Sequence, residues 1–250
     1  MTIRRLALAL LFAAVLFSTV RERSVPSASS RIALAALTAE AKNQIPSSTL
    51  LPVQSKNPDD LSVGKLLVAS RDLGDPIFAK TVILLVHYND QGVLGLMLNR
   101  RTKIPVSQAL DQFKAAKDRS DLAYLGGPVE TPTIFALMRS QKKIEEAQAI
   151  LKNVYLVTSK SLLEKVISTR PRPKLFHVYL GYAGWTKKQL QQEIALGGWF
   201  ISPADARTIF DSDPDALWRE MIRKTELKLA ANGTPEFFWQ PALPTPILLK

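Results

Sequence analysis

The stretch Thr81–Leu98, TVILLVHYNDQGVLGLML, decides the fold. Thr81–Tyr88 is an apolar, β-branched and leucine-rich run of strand length, and Val93–Leu98 is a second. Asn89-Asp90-Gln91-Gly92 between them carries the residue types that turn a chain tightly, since Asn and Asp bond their own backbone and Gly accepts either sign of φ. Runs joined this closely pair antiparallel, because a parallel return needs a crossover of a dozen or more residues. A purely parallel sheet does not fit.

Working outward, Lys65–Ser70 (KLLVAS) reads as another buried strand, reached through Arg71-Asp72-Leu73-Gly74-Asp75-Pro76. Downstream, a helix is expected from about Ser107 to Lys117, capped by Ser107, with Ala109, Leu110 and Phe113 on its apolar face. Leu122–Leu125 and Thr133–Met138 read as short strands around a tight Gly126-Gly127-Pro128 turn, and Val154–Val157 as a further one. Ser159 caps a helix to Ile167 that Pro171-Arg172-Pro173 ends, and Leu175–Leu180 returns as a strand. Thr186-Lys187-Lys188-Gln189 is a capping box opening a helix that stops at Gly197-Gly198. Trp199–Ile201 makes a short strand, and Ser202-Pro203-Ala204-Asp205 and Asp213-Pro214-Asp215 each start a helix, the second running to about Ala230. Strands and helices interspersed in this way predict an α/β or α+β fold, a mixed and largely antiparallel sheet flanked by helices.

The composition, 46% hydrophobic and 22% charged over 250 residues, is that of a globular chain. The absence of cysteine excludes disulfides, thiolate metal sites and cysteine nucleophiles. With only His87 and His177 as imidazoles, a three-histidine zinc site within one chain is excluded, and no metal or cofactor is expected. Residues 1–45 carry six Arg or Lys against Glu22 and Glu40, so +4 of the net charge of +11 lies there and the body is moderately basic.

Arg4 and Arg5 precede Leu6–Val20, fifteen uncharged residues that read as a signal-peptide or anchor segment, short for a span of roughly 20 residues. Residues 24–60, rich in Ser, Ala and Pro, read as a linker, leaving 61–250 as the globular domain. This arrangement predicts an exported or membrane-anchored protein, with membrane contact through residues 6–20 if they are retained. A misassigned start is the competing reading, although no Met lies between Met1 and Met97.

No P-loop, G-x-S-x-G elbow, G-x-G-x-x-G after a strand or HExxH helix is present. Four polar groupings remain. Asp72 and Asp75 form either a carboxylate pair or a turn. His87 and Asp90 lie near one strand end, with no nucleophile evident beside them. Asn99-Arg100-Arg101 either holds an anion or finishes a strand edge. Gly181-Tyr182-Ala183-Gly184-Trp185 either cradles an anion or flat ligand before a helix N-terminus or packs Trp185 in the core. Arg219, Arg223, Lys224 and Lys228 give the last helix a basic surface that could follow phosphates, though no base-reading motif accompanies it.

Taken in order, Gly64-Lys65-Leu66-Leu67-Val68-Ala69, Asp75-Pro76-Ile77-Phe78, Gly92-Val93-Leu94-Gly95-Leu96 with Asn99-Arg100, Gly126-Gly127-Pro128-Val129, and Gly181–Trp185 leading to Gln189-Leu190 and Glu193 resemble the AlgH/YqgE family. The chain departs from the family pattern at Arg101, where Pro is usual, and at Lys188, where Gly is frequent. The resemblance implies a compact mixed fold, a cytoplasmic location in contrast to that implied by residues 1–23, and the label of a transcriptional regulator. It implies no mechanism. The expected function is a non-enzymatic module binding a small ligand or a protein, with Asp75, Asn99, Arg100, Gly126, Gly127, Tyr182, Gly184 and Trp185 as its candidate contacts. The alternatives are regulation through nucleic acid and a hydrolase using Asp72, Asp75 or His87.

Overall fold

The computed structural model describes residues 55–231. Ten strands are present among the described residues: β1 (Lys65–Ala69), β2 (Val82–Asn89), β3 (Gly92–Met97), β4 (Arg101–Pro105), β5 (Leu122–Leu125), β6 (Val129–Arg139), β7 (Gln148–Leu151), β8 (Val154–Val157), β9 (Phe176–Trp185) and β10 (Trp199–Pro203). With them go helices α1 (Val106–Ala109), α2 (Lys160–Ser168), α3 (Lys187–Ala195), α4 (Ala206–Phe210) and α5 (Pro214–Ala231). The sheet runs β10-β1-β2-β3-β9-β6-β8-β7, with β5 against β9 and β4 against β5. Only β5 and β9 pair in parallel among the described strands, so the sheet is mixed and largely antiparallel.

The β2–β3 hairpin forms as the opening stretch predicts. Asn89 Oδ1 accepts from the amides of Gln91 (2.9 Å) and Gly92 (3.1 Å), the local bonding that suits Asn to a turn. Val82–Val86 are almost wholly buried, so β2 is covered on both faces, which is why it reads as a continuous apolar run and not an alternation.

Around β9 and β6 the alternation does appear. Phe176 and Val178 of β9 and Ala136 of β6 face one apolar cluster with α1 and α2, whereas Tyr179 and Leu137 face a larger one with α3, α4 and α5. Neighbouring residues on a strand point to opposite faces, so helices cover the sheet on both sides. Ser159 caps α2 by accepting from the Leu162 amide, and Leu162, Leu163, Val166 and Ile167 form its buried stripe, as read from the sequence. Among the described residues no helix is long and apolar enough to cross a membrane. The Leu6–Val20 segment lies outside the described residues.

Several local expectations are corrected. The helix placed over Ser107–Lys117 is a single turn, Val106–Ala109, with no side-chain cap from Ser107, followed by a 3-10 turn at Lys114–Ala116. Leu110 and Phe113 are buried all the same, through a bent path rather than a helical face. Pro203 ends β10 instead of starting a helix, and Asp205 caps α4. The capping box at Thr186 is half formed: the Thr186 hydroxyl accepts from the Gln189 amide, while the Gln189 side chain turns to Glu193. Backbone order also reaches upstream of residue 61, since Ser55 and Ile201 exchange two main-chain bonds of 2.8 Å.

Candidate functional site

The segment between β1 and β2, Arg71–Lys80, is held from several sides. Asp75 Oδ1 accepts from the amides of Ile77 (2.8 Å) and Phe78 (3.4 Å), and its carbonyl accepts from Ala79 N–H. The carboxyl therefore closes its own turn. At the far end of β3, Asn99 donates to the Lys80 carbonyl and accepts from the Val82 amide, both at 2.9 Å. Arg100 donates to the Ala79 carbonyl at 2.6 Å. These bonds satisfy backbone groups around Lys80, whose φ of 58° breaks any regular ladder.

Phe78 anchors the same loop in the core. Its ring lies 5.6 Å from that of Trp185 and 5.9 Å from that of Trp199, and the two indoles meet edge to face at 6.1 Å. Both indole N–H groups donate to Glu193 Oε2, at 3.1 and 2.9 Å, while Gln189 Nε2 donates to Oε1 at 3.1 Å. One carboxylate from α3 thus ties β9, β10 and the β1–β2 loop together. Trp185 is 6% exposed, so its ring is a packing element.

The glycine blocks have a different task. Gly181-Tyr182-Ala183-Gly184-Trp185 is the second half of β9 and runs directly into the Thr186 cap of α3: Ala183–Trp185 pair with β3, and Tyr182 pairs with Val129. Gly126 accepts from Met97 N–H and donates to the Leu180 carbonyl, joining β3, β5 and β9 at one point. There the chain crosses β9 at backbone contact. A Cβ on Gly126 would collide with the Gly181 carbonyl, and one on Gly127 with the Tyr182 carbonyl and the Ala183 amide nitrogen. Gly181 adds a φ of 67°, with Val129 O 2.6 Å from where its Cβ would stand. Tyr182 lies over Gly184 and packs edge to face with Phe135 at 5.9 Å. Burial and the adjacent Glu130 raise its phenol above the ordinary value.

Of the residues singled out in the sequence, Asp75, Asn99, Arg100 and Trp185 converge on the β1–β2 loop, whereas Gly126, Gly127, Tyr182 and Gly184 form the separate crossing. Phe78, Trp199 and Glu193 complete the first group. Phe78 and Glu193 stood in the ordered blocks, but their roles depend on contacts distant in sequence. Asp90 does not meet His87; it pairs with Lys187 at 2.7 Å, which lowers its carboxyl below the usual value. Arg219, Arg223 and Lys224 lie on the exposed side of α5 with Glu220 among them. Among the described residues no three His, Asp or Glu side chains gather as a metal site.

His177 sits opposite Leu137 in the sheet, with Tyr124 and Phe210 rings each 4.9 Å away. Among the described residues its Nδ1 has no hydrogen-bond partner, and neither has the Tyr179 hydroxyl. Burial pushes its pKa down from 6.5 to about 4, which makes it a weak base near neutral pH. Because the folded pKa is depressed, the contribution of neutral His177 is complete above pH 6.5 and is lost as pH falls toward 4. The loss amounts to at most about 3 kcal/mol. Urea unfolding at pH 7 and pH 4.5 should therefore show a smaller acid-induced loss for His177→Phe than for the wild type. Equal losses would refute this account.

Comparisons with known proteins place these features in a family. Residues 66–230 match the AlgH-like domain model. A UPF0301 protein of Methylococcus capsulatus is 36% identical over 169 residues, covering 66% of this chain and 92% of the relative. One from Pseudoalteromonas translucida is 32% identical over 161 residues, covering 62% and 86%. Among solved structures, the AlgH protein of Pseudomonas aeruginosa matches with a TM-score of 0.51 at 30% identity, over 68% of this chain and 86% of that one. A Corynebacterium diphtheriae protein, at 20% identity and a TM-score of 0.55 over 66% of this chain and 87% of that one, shares the fold. None of these names specifies a biochemical activity. The chain belongs to the AlgH-like, UPF0301 family.

Proposed function

We propose that this protein is a non-enzymatic regulatory module that binds a protein partner through the Arg71–Lys80 loop. One observation carries the reading: a loop fixed by Asp75, Asn99, Arg100 and Phe78 leaves Ile77 50% exposed at its centre. A large aliphatic side chain held outward on a rigid turn suits insertion into an apolar pocket of a partner, because its ordering cost is met before binding. The use of the Asp75 carboxyl in closing its own turn favours this over a hydrolase built on that carboxyl.

The test is a photo-crosslinking residue at position 77, with the same residue at exposed position 103 as control. The protein captured from position 77 should then bind the purified wild type and bind Ile77→Asp at least about tenfold more weakly. Asn99→Ala, which unmoors the loop, should weaken the same binding while the far-ultraviolet circular dichroism stays native. Equal capture from position 103, or unchanged affinity of Ile77→Asp, would overturn the assignment.

A further inference from the structure

Remote from the loop in sequence, Arg172-Pro173-Lys174 enters β9 through a 3-10 turn, Pro173–Leu175. The Leu175 amide donates to the Arg172 carbonyl at 2.8 Å, and Pro173 restricts φ, so the two cations project from a stiff turn. They border a cavity of about 560 Å³ that Leu175, Arg139 and Asp211 also line. Its size falls within the roughly 300–1,000 Å³ typical of small-ligand sites.

The charges in this cavity are unevenly matched. Arg139 donates to Asp211 at 2.9 Å and is neutralised by it. The side chains of Arg172 and Lys174 are exposed and make no hydrogen bond or ion pair among the described residues. Among the described residues, two cations without a partner thus line this cavity beside the apolar Leu175 and Pro173. Arg139 lines a second cavity of about 430 Å³ as well, together with Lys152, Asp205 and Arg207. Arg139 is thus shared by the two cavities, whereas Asp211 lines only the larger one.

We propose that the larger cavity binds a small phosphorylated ligand, its phosphate held by Arg172 and Lys174 and its apolar body lying against Leu175 and Pro173. A guanidinium and an ammonium together supply forked and point-charge donors to phosphate oxygens. Asp211 opposes a second phosphate at the same spot, which suits a compact ligand better than a nucleic-acid backbone. The Arg139–Asp211 bond sets the affinity, because Asp211 both repels the anion and withholds Arg139 from it.

Phenyl phosphate is the probe, titrated into the full-length chain by calorimetry beside inorganic phosphate and benzyl alcohol. Saturable binding with Kd below about 1 mM is expected, tighter than for inorganic phosphate and absent for benzyl alcohol. The exposed pair Arg172→Ala with Lys174→Ala should weaken it at least about tenfold, whereas Asp211→Asn should strengthen it several-fold. A purely structural role for the pair would not give opposite signs. Unchanged affinity in the double variant, weaker binding by Asp211→Asn, or no advantage of phenyl phosphate over phosphate would each overturn the proposal. So would a single-stranded oligonucleotide that bound through the same two residues more tightly than phenyl phosphate and with a multi-ion salt dependence.

Discussion

Gly127→Ala is expected to cost more than about 3 kcal/mol, or to prevent folding, because its methyl group would occupy the space of main-chain atoms rather than of movable side chains. The atoms in question are Tyr182 C and O and Ala183 N, in a strand that β3 and β6 hold from both edges. Urea unfolding is the measurement, with two glycines outside the crossing as controls. Gly74 has no atom within 4 Å of where a Cβ would stand and no left-handed φ, so Gly74→Ala should be neutral or slightly stabilising. Gly197 has the same open space but a φ of 80° at the end of α3, so Gly197→Ala should cost only about 1 kcal/mol. If Gly127→Ala unfolded at the same urea concentration as Gly197→Ala, the backbone crossing would not be the reason for the glycine pair.

The second large effect belongs to Glu193. Replacing it by Leu removes the acceptor of two largely buried indole N–H groups at once, and each unpartnered donor costs about 1–3 kcal/mol. Glu193→Leu should therefore lose roughly 2–5 kcal/mol. Glu193→Gln, which keeps an amide oxygen at the same reach, should lose about 1 kcal/mol. Phe78 packs on both indoles, so cleavage within Arg71–Lys80 by a protease such as trypsin should accelerate in Glu193→Leu before global unfolding begins. Equal stability of the Leu and Gln variants would show that the carboxylate is not what joins β9, β10 and the loop. The two experiments separate two functions of the family blocks, one making the sheet junction and the other mooring a loop.

Elements that depend on neighbouring residues were legible in the sequence. The hairpin at Asn89–Gly92, the Ser159 cap, the Thr186 cap and the Gly197 stop are each closed by bonds spanning a few residues, and each forms where the residue types place it. The class of the sheet followed from the same source, since a four-residue turn between two apolar runs leaves only antiparallel pairing. Where a segment's role depended on a distant one, local reading left alternatives open. Gly181–Trp185 read either as a ligand cradle or as packing for Trp185, and it is a strand because β3 and β6 flank it and because its glycines admit a crossing chain.

The same division holds at the candidate site. Asp75, Asn99, Arg100 and Trp185 could be singled out as residue types, but an Asn that bonds backbone 17 and 19 residues away has no local signature. Nor does Arg139, which meets Asp211 across 72 residues, or Glu193, whose two indole partners lie on different strands. By itself the sequence determined the antiparallel hairpin, the Ser159 and Thr186 caps and the family, because these rest on local bonding and on ordered blocks. Only the tertiary structure decided that the glycines serve a backbone crossing and that Ile77 stands on a moored loop. Only it brought Arg172 and Lys174 to one cavity with Arg139, because such placements arise from packing between segments that chain order does not join.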